Sequence, residues 1–253
     1  MSAVVPNVGT RVFSNLSPTV ASINARQTFA ALPLPAPDAD VSIEKHRPYA
    51  ISTEDSEMIA KLGEGVAKDA ITQIASTGIS TDIIFVRCDD DPDEDTQLGH
   101  IVGDAAQKTG SWAVLEALGE IGLEAGLILS PEYMHQRPGD AANPVLTTHE
   151  AICGKLIDCF AIADAGGTER EHAALAAADF ATSRNILMGW PRVKIWKGGA
   201  EATAPMSTFW AAQILKRDAE VGNRYKAAWN KPLVGIRGTE HRVSHRDGDP
   251  TSD

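Results

Sequence analysis

The sequence predicts an α/β fold: an open, mostly parallel sheet covered by helices on both faces, with an extended N-terminal arm. Three observations predict it. Asp82-Ile-Ile-Phe-Val-Arg87 and Ala125-Gly-Leu-Ile-Leu-Ser-Pro131 are short continuous apolar runs, the pattern of strands buried on both faces. Between and after them lie stretches with helical spacing, such as Trp112, Val114, Leu115, Leu118 and Ile121. A further buried run, Cys159-Phe-Ala-Ile-Ala163, follows the second of these helices, and strand, helix, strand in that order demands a crossover connection.

The elements follow in chain order. Residues 1–26 are polar, with single apolar side chains such as Val12, Phe13, Leu16, Val20 and Ile23 and with Pro6 and Pro18, which reads as a disordered tail or as an extended arm and not as part of a core. Thr10-Arg-Val-Phe-Ser14 has the composition of one short strand, suited to joining a sheet in a neighbouring subunit. Thr28 to Leu34 is the first core strand, ended by Pro33, Pro35 and Pro37. Pro48 to Thr53 is a second strand. Thr53 is expected to cap a helix with Glu54 and Asp55 in its first turn and Met58, Ile59 and Leu62 inward, stopped at Gly63. A helix over 69–75 precedes the strand 82–87. The acidic run Asp89 to Asp95 is expected to be a solvated loop at the sheet edge. A helix near 111–121, a strand at 126–130, a helix at 144–157 and a strand at 159–163 come next. They are followed by an alanine-rich helix over 169–180, strands at 185–190 and 193–196, a helix from Pro205 to Lys216 and a last short strand at 234–236. The organisation is an arm (1–26), one α/β body (27–236) and a polar C-terminal segment (237–253).

Composition excludes several functions. A net charge of −11 over 253 residues argues against general nucleic-acid binding, which needs clustered cations. No apolar run approaches a membrane span, and no basic patch followed by an apolar run marks a signal peptide at the N-terminus. Cys88, Cys153 and Cys159 form no CxxC pair and read as buried thiols. An inter-subunit disulfide is the sharper alternative.

The usual motifs of chemistry fail one by one. No GxGxxG follows a strand. Gly103 to Thr109 is close to a phosphate loop but has Gln107 where glycine is needed before Lys108. His149-Glu-Ala-Ile-Cys153 puts a cysteine where a zinc-protease helix needs its second histidine. Asp89, Asp91 and Asp93 have calcium-loop spacing, but Glu94 occupies the glycine place and His100 the twelfth. Ser130 at a strand end lacks flanking glycines, and Asp164, where sheet enzymes place a carboxylate, is followed by a tight Ala165-Gly166-Gly167 turn. The expectation is no catalytic residue, no metal and no cofactor. The alternative is a small-molecule hydrolase or transferase built on Ser130 or Asp164 and a titratable partner. Trp190, Trp196, Trp210 and Trp229 read as core and interface anchors. A basic cluster (Arg184, Arg192, Lys194, Lys197, Lys216, Arg217, Arg224, Lys226, Lys231) stands against the acidic half from Asp38 to Asp95, which favours head-to-tail contacts between copies.

Spread along the chain are the pieces of a resemblance. They are the arm at 1–26, the strand and prolines at 28–37, Pro48-Tyr-Ala-Ile-Ser-Thr with its helix through Leu62-Gly63, and Asp82-Ile-Ile-Phe-Val-Arg. Further pieces are Leu127-Ile-Leu-Ser-Pro-Glu-Tyr, Ala161-Ile-Ala-Asp-Ala, Gly189-Trp-Pro-Arg-Val-Lys, the Pro205 to Lys216 helix and Asn230-Lys-Pro-Leu-Val-Gly-Ile-Arg-Gly. In this order the chain resembles the tail sheath proteins of contractile bacteriophages and related injection systems. The resemblance implies a structural subunit and not an enzyme. It implies stacked six-fold rings around a tail tube, extended arms that complete sheets in neighbouring copies, and contraction that drives the tube through the host envelope. The implied partners are other copies of the chain, the tube protein, and baseplate and terminator proteins, without direct nucleic-acid binding or membrane insertion. The implied place is the virion tail, assembled in the host cytoplasm. By the same resemblance Val12, Phe13 and Leu16 are the inter-subunit arm residues. By the same resemblance a closing domain and a second arm are expected beyond the segment like 230–238, in a longer chain or supplied elsewhere, so tube-contacting residues are not assigned.

Overall fold

The structure is a computed structural model, and it describes residues 28–167, 170–222 and 231–241. The arm with Val12, Phe13 and Leu16, the segment with Arg224, Lys226 and Trp229, and the end of the chain from 242 lie outside the described residues.

Six strands form the main sheet: β1 (Phe29–Pro35), β2 (Pro48–Ser52), β3 (Asp82–Cys88), β4 (Ala125–Ile128), β5 (Phe160–Asp164) and β6 (Ile186–Gly189). Their order is β2-β3-β1-β4-β5-β6. All neighbours run parallel except the antiparallel edge strand β2. The mostly parallel sheet of the sequence reading is thus present, with β1 and β4 at its centre. Ala30 to Leu34 and Ile83 to Val86 are buried without alternation because both faces are covered.

Two helix layers do the covering. On one face α2 (Val66–Ser76) and α7 (Met206–Val221) pack on each other and on β1 and β5. On the other, α3 (Glu94–Val102), a 3-10 helix (Gly110–Glu116) and α5 (Pro144–Cys153) pack together, reaching β1, β3 and β5. Three further α-helices are α1 (Ser56–Ala60), α4 (Ala117–Ile121) and α6 (Arg170–Asp179). Phe85, Leu32, Ile71 and Ile84 are fully buried between the layers. Each such side chain contributes roughly 1.5–3 kcal/mol by leaving water.

Several expectations are corrected. Asp55, not Thr53, caps α1, its carboxylate accepting from the Glu57 and Met58 amides. The Thr53 hydroxyl instead donates to the Ile79 carbonyl and accepts from the Thr81 amide, tying β2 to the start of β3. The acidic run is a loop only to Asp93. Asp93 caps α3 through the Thr96 amide, and Glu94 and Asp95 occupy its first turn, where the helix dipole favours them. The stretch at 110–116 winds as a 3-10 helix before α4. The strand expected at 234–236 is displaced to β9 (Gly238–Thr239).

A second, small antiparallel sheet adds to the expected architecture. Strand β7 (Val193–Lys197) pairs with β8 (Ala200–Ala204) and with β9. Gly198 and Gly199 make its two-residue hairpin turn, both at positive φ, which glycine adopts without strain. Val193, Ile195, Ala204 and Phe209 form the core beneath it.

Candidate assembly surface

The chemistry that would make this fold an enzyme is sealed. In an open parallel sheet, ligands bind beyond the strand C-termini where the strand order reverses. Here that point lies between β1 and β4. Ser130 and Met134 are buried there, and the Ser130 amide meets the Met134 sulfur at 3.3 Å.

Ser130 does have a histidine partner, on α5. His149 Nε2 lies 3.3 Å from Ser130 Oγ and 3.2 Å from Ser111 Oγ, and all three residues are 0% exposed. The protons identify the role. Ser130 Oγ donates to the Pro33 carbonyl at 2.7 Å, and Ser111 Oγ donates to the Ile101 carbonyl at 2.7 Å. With both hydroxyl protons committed, the Nε2–H must be the donor to the two serine oxygens. A general base needs that nitrogen unprotonated and the serine proton pointing at it. Burial pushes His149 down to about 3, so the ring stays neutral, and its Nδ1 has no hydrogen-bond partner. The trio joins the 3-10 helix, α5 and the end of β4 across the core. A fluorophosphonate probe is expected to leave Ser130 unmodified in the folded chain, and a covalent adduct on Ser130 in peptide mass spectra would refute this.

Asp164, at the C-terminal end of β5, is also structural. Its carboxylate accepts from the Ser207 amide at 2.9 Å and the Ser207 hydroxyl at 2.5 Å, so it caps α7 from outside the helix. Pro205 leads into α7 and supplies no side-chain cap of its own. Burial pushes Asp164 up to about 6, against the pull of the two Ser207 bonds and of Arg192. Arg192 itself is held by a two-pronged pair with Glu132 at 2.6 and 2.7 Å.

The other near-motifs are likewise used up by the fold. In the loop after α3, the Asp104 carboxylate accepts from the Ala106 and Gln107 amides, which a phosphate would need. Gly103 and Gly110 cross so closely that a Cβ on Gly103 would lie 2.1 Å from the Thr109 carbonyl oxygen. Asp89 is taken by Lys45 at 2.6 Å and His46 at 2.9 Å, which hold its carboxyl below the usual range. The two residues of the would-be zinc helix part company: His149 meets the serines, and Cys153 meets Cys159.

What the surface offers is backbone edges and apolar side chains. Among the described residues, β6 pairs only with β5 and β8 only with β7, so each leaves one row of backbone groups for another strand. Beside β6 runs a groove lined by Met188, Trp190, Met206, Trp210 and Leu233; a second, between α2 and the small sheet, includes Asp69, Gln73, Lys197 and Thr203. Neither is lined by Ser130, His149 or Asp164. Trp196, 59% exposed on β7, carries the Arg237 guanidinium 5.0 Å over its ring. Leu118, Ile157 and Phe160 are exposed elsewhere.

The tryptophans divide accordingly. Trp190 packs on Ala165, Ala173 and Ala176, Trp210 on the main core, and Trp196 faces outward. Four members of the basic cluster are paired within the chain. Arg192 pairs with Glu132, Lys194 with Glu201, Lys197 with Asp69 and Arg217 with Glu220, all within the chain. Lys197–Asp69 joins the basic half to the acidic half within one chain.

No family model matches the sequence. Over 152 residues, 59% of the chain, it is 30% identical to a protein of Pseudomonas aeruginosa (strain UCBPP-PA14) named as a prophage major tail sheath protein. Its fold superposes on a solved chain of the anti-feeding prophage helical sheath in the contracted state, with a TM-score of 0.59 over 95% of the chain. The chain resembles tail sheath proteins in sequence and in fold. At 18% identity the second likeness is one of fold. The matched part is 37% of the Pseudomonas tail sheath protein and 60% of the solved sheath chain. Both similarities are to structural proteins and not to an enzyme of the doubly wound class.

Proposed function

We propose that the chain is a structural subunit of a contractile phage-type tail sheath. It joins other copies of itself in stacked hexameric rings around a tail tube, and contraction of those rings drives the tube through a host envelope. Residues 1–26 are its leash. Val12, Phe13 and Leu16 sit in a strand donated to a neighbouring subunit, where backbone pairing repeats in every copy and holds the mesh while rings slide. The tube protein, the baseplate and the tail terminator are the partners at its inner surface and two ends. The virion tail, assembled in the host cytoplasm, is its place.

The observation that carries this reading is the agreement of two likenesses, one of sequence and one of fold, on sheath proteins. The sealed state of Ser130, His149 and Asp164 supports it against the hydrolase alternative. Negative-stain electron microscopy of the purified chain tests it. Ordered tubes or stacked rings are expected. Monodisperse monomers at all concentrations, confirmed by sedimentation velocity, would contradict it.

A further inference from the structure

We propose that Cys153 and Cys159 form an intrachain disulfide when the chain meets a small-molecule disulfide such as oxidised glutathione. The two Sγ atoms lie 3.1 Å apart, and both residues are free thiols in the structure. That is about 1 Å from the bonded distance of about 2.05 Å. Cys153 is the last residue of α5, and Cys159 immediately precedes β5. A turn with Asp158 at φ 55° brings Cys159 back over the helix end. Each sulfur has the other as its neighbour, whereas Cys88 sits apart on β3, its sulfur 3.9 Å from the Val86 carbonyl.

The chemistry balances as thiol–disulfide exchange. One cysteine thiolate attacks the glutathione disulfide and releases one glutathione thiolate. The second cysteine thiolate attacks the resulting mixed disulfide and releases the other. Two cysteine thiols are oxidised by two electrons, one external disulfide is reduced to two thiols, and the proton count is unchanged. The Cys159 sulfur beside it and burial both hold the Cys153 thiol protonated, and the residues are only 2% and 3% exposed. Reaction therefore waits on a local opening at the connection between them, whose residues 154, 155, 157 and 158 are exposed. The bond then staples the end of α5 to β5 and fixes the apolar pair Ile157 and Phe160, exposed beside it.

The full chain is incubated with oxidised glutathione at a urea concentration just below its unfolding midpoint, then alkylated under denaturing conditions. Intact mass is expected to show one alkylated thiol instead of three, with residues 153 and 159 linked in the peptide map. The melting temperature should rise by about 5 °C, reversed by dithiothreitol, from closing a short loop in the unfolded chain. Cys88→Ser should still lose two thiols, and Cys153→Ser should lose none. Three alkylated thiols after incubation, a persistent glutathione adduct or a covalent dimer would each overturn the proposal.

Discussion

Deleting residues 1–22 is expected to abolish ordered polymers while leaving a folded monomer. Two facts separate these outcomes. The described body begins at Thr28, whose hydroxyl donates to Asp218 near the end of α7 at 2.6 Å, and β1 follows at Phe29, so the deletion leaves every described residue of the core and its ladders in place. The arm, in the proposed reading, contributes only between subunits. A strand of about five residues pairs its backbone groups at every contact in the polymer, and losing it removes the link from all of them at once. Circular dichroism and the urea midpoint should therefore stay near those of the full chain, while sedimentation should show loss of the polymer. Tubes formed normally by the shortened chain would refute the arm's role. Loss of the fold would refute the claim that the body stands without it.

The second large effect is a pH dependence carried by Asp164. Its carboxyl is pushed up to about 6 in the fold by burial, against about 3.9 in an unfolded chain. Well below pH 4 it is protonated in both states and has no effect. Between about 4 and 6 the unfolded chain ionises it first, so unfolding releases a proton and stability falls as pH rises. Above 6 the loss is complete, at about 3 kcal/mol. Asp179 and Asp89, whose carboxyls are lowered by Arg137 and by Lys45 and His46, act in the opposite direction. The comparison must therefore be between the natural chain and Asp164→Asn, whose side-chain amide oxygen can still accept from the Ser207 amide without ionising. Urea unfolding at pH 4 and pH 7 should show the natural chain losing about 2 kcal/mol relative to the variant. A constant difference across that range would show that Asp164 is not held in the state described.

Much of this architecture is legible in the residues. The strands at 82–88 and 125–128 announce themselves because a sheet covered on both faces needs unbroken apolar runs. Helix α3 escapes a sequence reading because its start is acidic. Asp93 as a cap with Glu94 and Asp95 behind it is a helix signal, but within a run of aspartates it reads as solvated loop. Strand β8 escapes because Ala200-Glu-Ala-Thr-Ala204 has little β-forming composition, although Gly198-Gly199 after Val193 to Lys197 is a hairpin signal. The place of Asp164 in the sequence hints at function, and only the structure shows that Ser207, 43 positions later, turns it into a helix cap. Likewise the Ser130–His149 contact is legible only in space, and only its hydrogen-bond directions show that it holds the core together. The arm's partner, in the proposed reading, belongs to another copy, which a single chain cannot display.

The central claim is that the first two dozen residues belong structurally to a neighbour. A cryo-electron microscopy reconstruction of the assembled chain, traced through residues 1–26, tests it most directly. The prediction is a strand over 10–14, with Val12, Phe13 and Leu16 against an adjacent subunit. A trace in which those residues fold back onto their own subunit's surface would contradict it.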